Sequence, residues 1–98
     1  MIIKQIIQEL ETARHPVAKA LYKGEHCKVL VIGFKNRMKL VEHKAHQPTK
    51  LTVLTGHVWY SEGERELELY QYDEVEIPVN ITHSLEAMED SLCLLTQG

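Results

Sequence analysis

The chain has 98 residues, of which 44% are hydrophobic and 26% charged, with a formal net charge of −3. That length suits one domain with one modest core, expected to cover residues 1–98. Lys and Arg are scattered, so no concentrated basic face is available to grip a phosphate backbone, and nucleic acid is not an expected partner. The longest apolar runs, such as Val29-Leu30-Val31-Ile32, fall well short of the roughly 18–20 residues of a membrane-spanning helix, so no membrane partner is expected.

In chain order, Ile2, Ile3, Ile6, Ile7 and Leu10 recur at helical spacing with polar residues between them. This predicts a short amphipathic helix or arm over about residues 1–14. The stretch lacks a basic start, a long apolar run and a cleavage site, so no secretion signal is read and a cytoplasmic location is expected. Thr12-Ala13-Arg14-His15-Pro16 reads as a loop, because the residue before a proline is pushed out of the helical region.

From residue 17 to 97 the pattern is β. Val17–Tyr22 and Cys27–Phe34 flank Lys23-Gly24-Glu25-His26 as a hairpin. Lys35-Asn36-Arg37 turns the chain into Met38–His43, and Gln47-Pro48 breaks it. Lys50–Leu54 follows, then Gly56, then Val58-Trp59-Tyr60, then a turn at Ser61-Glu62-Gly63-Glu64. Glu66–Tyr72 alternates, with Leu67 and Leu69 on one face and Glu66, Glu68, Tyr70 and Tyr72 on the other. Val75-Glu76-Ile77 and Ser91–Thr96 are further strands. Between them the Pro78 turn delivers His83 to the start of another.

Six to nine short strands at this spacing predict an all-β antiparallel barrel or sandwich. Val29–Ile32 and Leu92–Leu95 are apolar on both faces, so they need cover on both sides, from the core and from the helix or a partner subunit. Trp59, Tyr70 and Tyr72 are aromatic residues suited to a subunit interface, and a homodimer is expected. Cys27 and Cys93 lie in apolar runs and read as buried thiols.

These residues resemble the small single-domain cupins over about Val17 to Gln97. The resemblance rests on Gly56, Pro78, His43 and His83, with Asn80 standing for a turn glycine. The two cupin motifs put their other glycines at Arg37 and Tyr72, their second histidine at Ala45, their glutamate at Thr49 and their asparagine at Ala87. These five positions depart from the pattern. The resemblance implies a jelly-roll-like cupin β-barrel with a short N-terminal helix, carrying one histidine per motif. It implies His43 and His83 as ligands of a divalent metal such as Zn, Fe, Mn or Ni, with His46 as a third candidate.

Residues sharing the inward parity of His43 are Ala45, Thr49, Leu51 and Val53, while His46 and His57 fall on the other parity. The expected pocket is lined by Leu40, His43, Leu51, Val53, Gln71, Val75, Ile77 and His83. Two imidazoles are few for a metal, because catalytic zinc takes three protein ligands and the two-histidine iron site adds a carboxylate. No Asp or Glu has an obvious inward position. Glu42 and Glu76 fall on outward parity, and Glu62, Glu64, Glu66 and Glu68 read as a solvated hairpin face. His15, His26 and His57 read as surface or interface residues.

Three functions fit. The first is a barrel that binds a small molecule, with or without a metal between His43 and His83. The second is a metal-dependent enzyme of oxygenase or isomerase type. The third is a structural or regulatory dimer without catalytic activity.

Overall fold

A computed structural model describes residues 1–98, the side chain of Glu42 excepted. One helix, α1 (Ile2–Leu10), precedes nine strands: β1 (Val17–Lys23), β2 (Lys28–Phe34), β3 (Lys39–Lys44), β4 (Thr49–Thr55), β5 (His57–Glu62), β6 (Arg65–Tyr70), β7 (Glu74–Ile77), β8 (Thr82–Ala87) and β9 (Ser91–Gln97). They form two antiparallel sheets. One has the order β1-β2-β9-β4-β7 and the other β3-β8-β5-β6. No helix is long and apolar enough to cross a membrane.

The inward faces of the two sheets make one core, which includes Phe34, Leu51, Val53, Val58, Tyr60, Leu85 and Cys93. The alternation in β4 and β8 matches this directly, with every second residue buried. The second apolar face of β2 and β9 is covered by α1. Ile6 and Leu10 are buried there against Val31, with Leu92 and Leu94 packed alongside. The contact is close because Gly33 lies beneath the helix. A Cβ at Gly33 would stand 2.5 Å from Ile6 Cγ2 and 2.7 Å from Leu10 Cδ1, so only glycine lets the helix settle this near the sheet.

Three element ends differ from the sequence reading. The β5 strand continues through Ser61 and Glu62, and its turn holds only Gly63 and Glu64. β6 ends at Tyr70, so Tyr72 leaves the face it was expected to share and stands 75% exposed in the following turn. Cys93 is buried, but Cys27 is exposed, because β2 begins one residue later.

The non-glycine residues with positive φ are Arg37 (75°), Tyr72 (71°) and Asn80 (62°), and Gly56 has φ 96°. These are the four positions at which the cupin motifs place a glycine or, at Asn80, its substitute. The backbone keeps the left-handed turns although three glycines are gone. At Gly56 the fold also lacks room, since a Cβ would strike the Ser91 hydroxyl and lie 2.5 Å from the Asp90 carbonyl. Left-handed backbone costs an ordinary residue roughly 1–2 kcal/mol, and a steric clash adds about 1–3 kcal/mol. Gly56→Ala is therefore expected to lower stability by at least about 2 kcal/mol. Tyr72→Gly removes the strain and loses no buried side chain, while loosening the unfolded chain by about 0.4–1 kcal/mol. It is expected to leave the melting temperature unchanged or raise it. Thermal unfolding of the two variants checks both, and a destabilised Tyr72→Gly would contradict the reading.

Candidate functional site

The antiparallel pairing of sheet β3-β8-β5-β6 gathers polar residues at one end of the barrel. His83 in β8 is the cross-strand partner of His43 in β3 on one side and of Glu62 in β5 on the other. Glu62 pairs in turn with Arg65 in β6. Cross-strand partners project to the same face, and on β8 that face carries the buried Leu85 and Ala87. His43, His83 and Glu62 therefore stand in one row on the inward side of the sheet. The β3–β4, β5–β6 and β7–β8 connections all lie at this end, the mouth of the barrel.

His83 is 7% exposed, whereas His43 is exposed. Their ring centroids are 6.4 Å apart, and the Tyr60 ring lies 6.1 Å from that of His83. The His83 Nδ1 is 3.5 Å from the Ile81 carbonyl. Burial pushes the His83 imidazole below its ordinary value, and the charge of His43 adds to this. The Ile81 carbonyl and the Glu62 carboxylate oppose it.

The Glu62 carboxylate is 11% exposed, and both its oxygens are engaged. Arg65 Nε forms an ion pair with Oε1 at 2.7 Å, and the buried Tyr60 hydroxyl donates to Oε2. Burial alone would push this carboxyl upward. The Arg65 guanidinium, the Tyr60 hydroxyl and His83 together outweigh burial and hold it below the usual carboxylate range. Tyr60 is raised far above a normal phenol, first by burial and then by Glu62, so it stays a hydrogen-bond donor. The Arg65 guanidinium carbon lies 5.9 Å from the centre of the Tyr60 ring, within cation–π range.

Glu62 is a site residue that the sequence reading placed wrongly. Parity from Val58 and Tyr60 was the signal, obscured by treating Ser61 and Glu62 as turn. Glu64, Glu66 and Glu68 are exposed as expected. His57 is half-buried on the outer face of the sheet, stacked on Tyr70 at 4.2 Å and 3.1 Å from Glu68. His15 and His26 are exposed.

A cavity of about 990 Å³ opens at the mouth, and Glu62 and Arg65 form part of its wall. Of the expected pocket residues, Ile77 lines it. His43 and His83 do not, Leu51, Val53 and Val75 are packed in the core, and Leu40 is half-buried against that core. Gln71 is not an inward amide. It is exposed in the turn between β6 and β7, at the opposite end of the barrel, because β6 stops at Tyr70. His46 is exposed, and its Nδ1 is 3.3 Å from the Asn80 Oδ1. Glu76 is exposed, and the side chain of Glu42 lies outside the described residues.

Among the described residues, no three His, Cys, Asp or Glu side chains converge on a point that suits a metal. The second histidine and the glutamate of the cupin pattern are replaced by Ala45 and by Thr49, both buried, with the Thr49 hydroxyl donating to the Gln47 carbonyl at 2.9 Å. Two imidazoles on one tetrahedral zinc hold their ring centres about 5 Å apart, closer than this pair. The donor set as it stands does not fit a resident metal.

No family model and no curated protein matches the sequence. Solved structures do. A cupin superfamily protein from Desulfitobacterium hafniense superposes with a TM-score of 0.79 at 16% identity, covering 87% of this chain and 80% of that one. An RmlC-like cupin from Desulfovibrio desulfuricans gives 0.76 at 21% identity over 89% of each chain. A cupin-2 domain protein from Shewanella frigidimarina gives 0.76 at 11% identity, over 99% and 92%. The chain has the cupin fold. A structure from Streptococcus pyogenes, described as a conserved protein of unknown function, gives a TM-score of 0.76 at 17% identity over 85% of this chain and 73% of that one. The cupin fold hosts many chemistries, so the site has to supply the argument.

His83 gives a pH test. A histidine whose folded-state value is depressed binds its proton more readily when unfolded. The stability it confers is complete above the unfolded value of about 6.5 and is lost as pH falls below it. The melting temperature is therefore expected to fall between pH 7.5 and 5.5, and His83→Gln is expected to flatten that fall. An unchanged pH slope in the variant would contradict a depressed His83.

Proposed function

We propose that the chain binds a small organic molecule at the barrel mouth, with His43 and His83 as polar anchors. The observation that carries this reading is the cross-strand pairing of the two histidines with each other and of His83 with Glu62, the member of that row that reaches the wall of the cavity of about 990 Å³. A depressed His83 is a neutral imidazole near pH 7, able to accept or donate one hydrogen bond to an uncharged group. Glu62 stands in the same row and belongs to the cavity wall, linking the histidines to the space a ligand would fill. Ligand pockets characteristically combine apolar walls with a few convergent polar groups.

In the metal-enzyme reading, Zn, Fe, Mn or Ni on His43 and His83 would take its other positions from water or the ligand. The paired histidines support it, and the absence of a converging third donor among the described residues weighs against it. A second copy of the chain is the proposed partner, through exposed aromatics such as Tyr70 and Tyr72. The helix already covers β2 and β9, so that face no longer calls for a subunit.

Metal analysis by plasma mass spectrometry, beside native mass spectrometry for a co-purifying organic molecule, separates the readings. The protein is prepared without chelators, together with the His43→Ala/His83→Ala double variant. The expected result is no stoichiometric metal and a bound organic molecule whose occupancy falls about tenfold or more in the variant, as for the loss of two hydrogen bonds. Near-stoichiometric metal in the parent, absent from the variant, would overturn this in favour of the metal enzyme. Loss of stability alone would favour a structural role.

A further inference from the structure

The cavity wall carries a cation whose hydrogen-bonding capacity is only partly used. Arg65 pairs through Nε with the Glu62 carboxylate at 2.7 Å and donates one Nη2 hydrogen to the Glu76 carbonyl at 3.3 Å. A guanidinium has five N–H donors in a rigid fork. The Tyr60 hydroxyl also bears on the guanidinium, and the rest of the fork has no partner among the described residues. The side chain is 46% exposed, so these donors are open to the cavity end of the molecule. Glu62 on one side and the Tyr60 ring on the other fix the guanidinium plane. An Arg held this way is pre-organised for a planar, two-oxygen acceptor.

The other charges of the cavity wall narrow the position. Glu62 has both oxygens engaged within the protein. Lys50 stands cross-strand from Glu76 and 3.4 Å from Glu74, so its charge already has carboxylates beside it. An incoming anion would meet repulsion there and least opposition at the outer edge of Arg65. The remaining wall includes Pro48, Ile77, Pro78 and Val79, an apolar strip suited to a hydrocarbon or aromatic body.

We propose that the mouth binds an organic monocarboxylic acid, its carboxylate taken by the Nη1–Nη2 edge of Arg65 and its apolar body lying on Pro48, Ile77 and Val79. Arg65 then supplies, without a metal, the positive charge that two histidines cannot. This rests on the reading of the mouth as a ligand site and names the ligand's class. Glu62 and Tyr60 act as positioning residues, holding the guanidinium rather than touching the acid.

Calorimetric titration of the full chain with 3-phenylpropionate, its neutral amide and 3-phenylpropylamine tests the proposal at one pH and salt concentration. The acid is expected to bind at least tenfold more tightly than the amide, and the amine not at all. Arg65→Gln is expected to weaken the acid at least tenfold and the amide by a much smaller factor. Arg65→Lys keeps the charge but not the fork and is expected to fall between. Equal binding of acid and amide by the unaltered chain, no binding of the acid, or an Arg65→Gln variant of unchanged acid affinity would each overturn the proposal. The acid–amide comparison needs no variant, so it stands even if Arg65→Gln fails to fold. The His43→Ala/His83→Ala variant separates the two readings. Acid binding retained there but lost in Arg65→Gln removes the histidines from the site and keeps Arg65. The reverse keeps the histidines and overturns the role of Arg65.

Discussion

The site depends on the register of β8 between two neighbours. His83 faces His43 across one strand boundary and Glu62 across the other. Side chains alternate with period two, so a slip of one residue in either ladder would turn a partner to the opposite face. The register is held by what lies further along β8. Leu85 and Ala87 are buried against the core, opposite Tyr60 and Val58, and a slip would expose them. The apolar end of the strand thus fixes the polar end. Beneath this, β2 and β9 can be apolar on both faces because α1 rests on Gly33 and closes the outer side.

The polar cluster at the mouth is costly to keep unless each member is satisfied. A carboxylate as enclosed as Glu62 loses much of its hydration, and only close partners offset that loss. Here Arg65 and Tyr60 supply them, and no buried side-chain polar atom among the described residues lacks a partner. A barrel that needed only a packed core would fill these positions with apolar groups at less risk. The expense is understandable if the cluster serves a ligand, and it concentrates the functional argument on Glu62 and Arg65 as much as on the histidines.

Much of the fold was legible because alternation, turn residues and strand spacing agree with one another. The hairpin around Gly24, the break at Gln47-Pro48 and the two-faced apolar strands were all readable that way. The cupin pattern located a left-handed turn at Asn80, and the backbone adopts it; Arg37 and Tyr72 read only as departures from the motif's glycines, yet the backbone is left-handed there too. The site was less legible. Ser61-Glu62-Gly63-Glu64 has the composition of a turn, yet only Gly63 and Glu64 make it, so Glu62 stays in strand parity with Val58 and Tyr60. Tyr72 and Gln71 were misplaced for the converse reason, since an alternating polar stretch hides where a strand stops. The pairing of Glu62 with Arg65 across a two-residue hairpin, and of both with Tyr60, depends on rotamers that spacing does not reveal.

The central claim is that Glu62 faces inward, ionised and clasped by Arg65 and Tyr60 beside His83. Following the Glu62 side-chain carboxyl carbon by NMR through an acid titration addresses it most directly. The account predicts a midpoint below the ordinary glutamate value of about 4.3, because the guanidinium, the phenol and the imidazole together outweigh burial. A midpoint at or above that value would mean that the carboxylate is not held by these partners, and the polar row at the mouth would have to be abandoned.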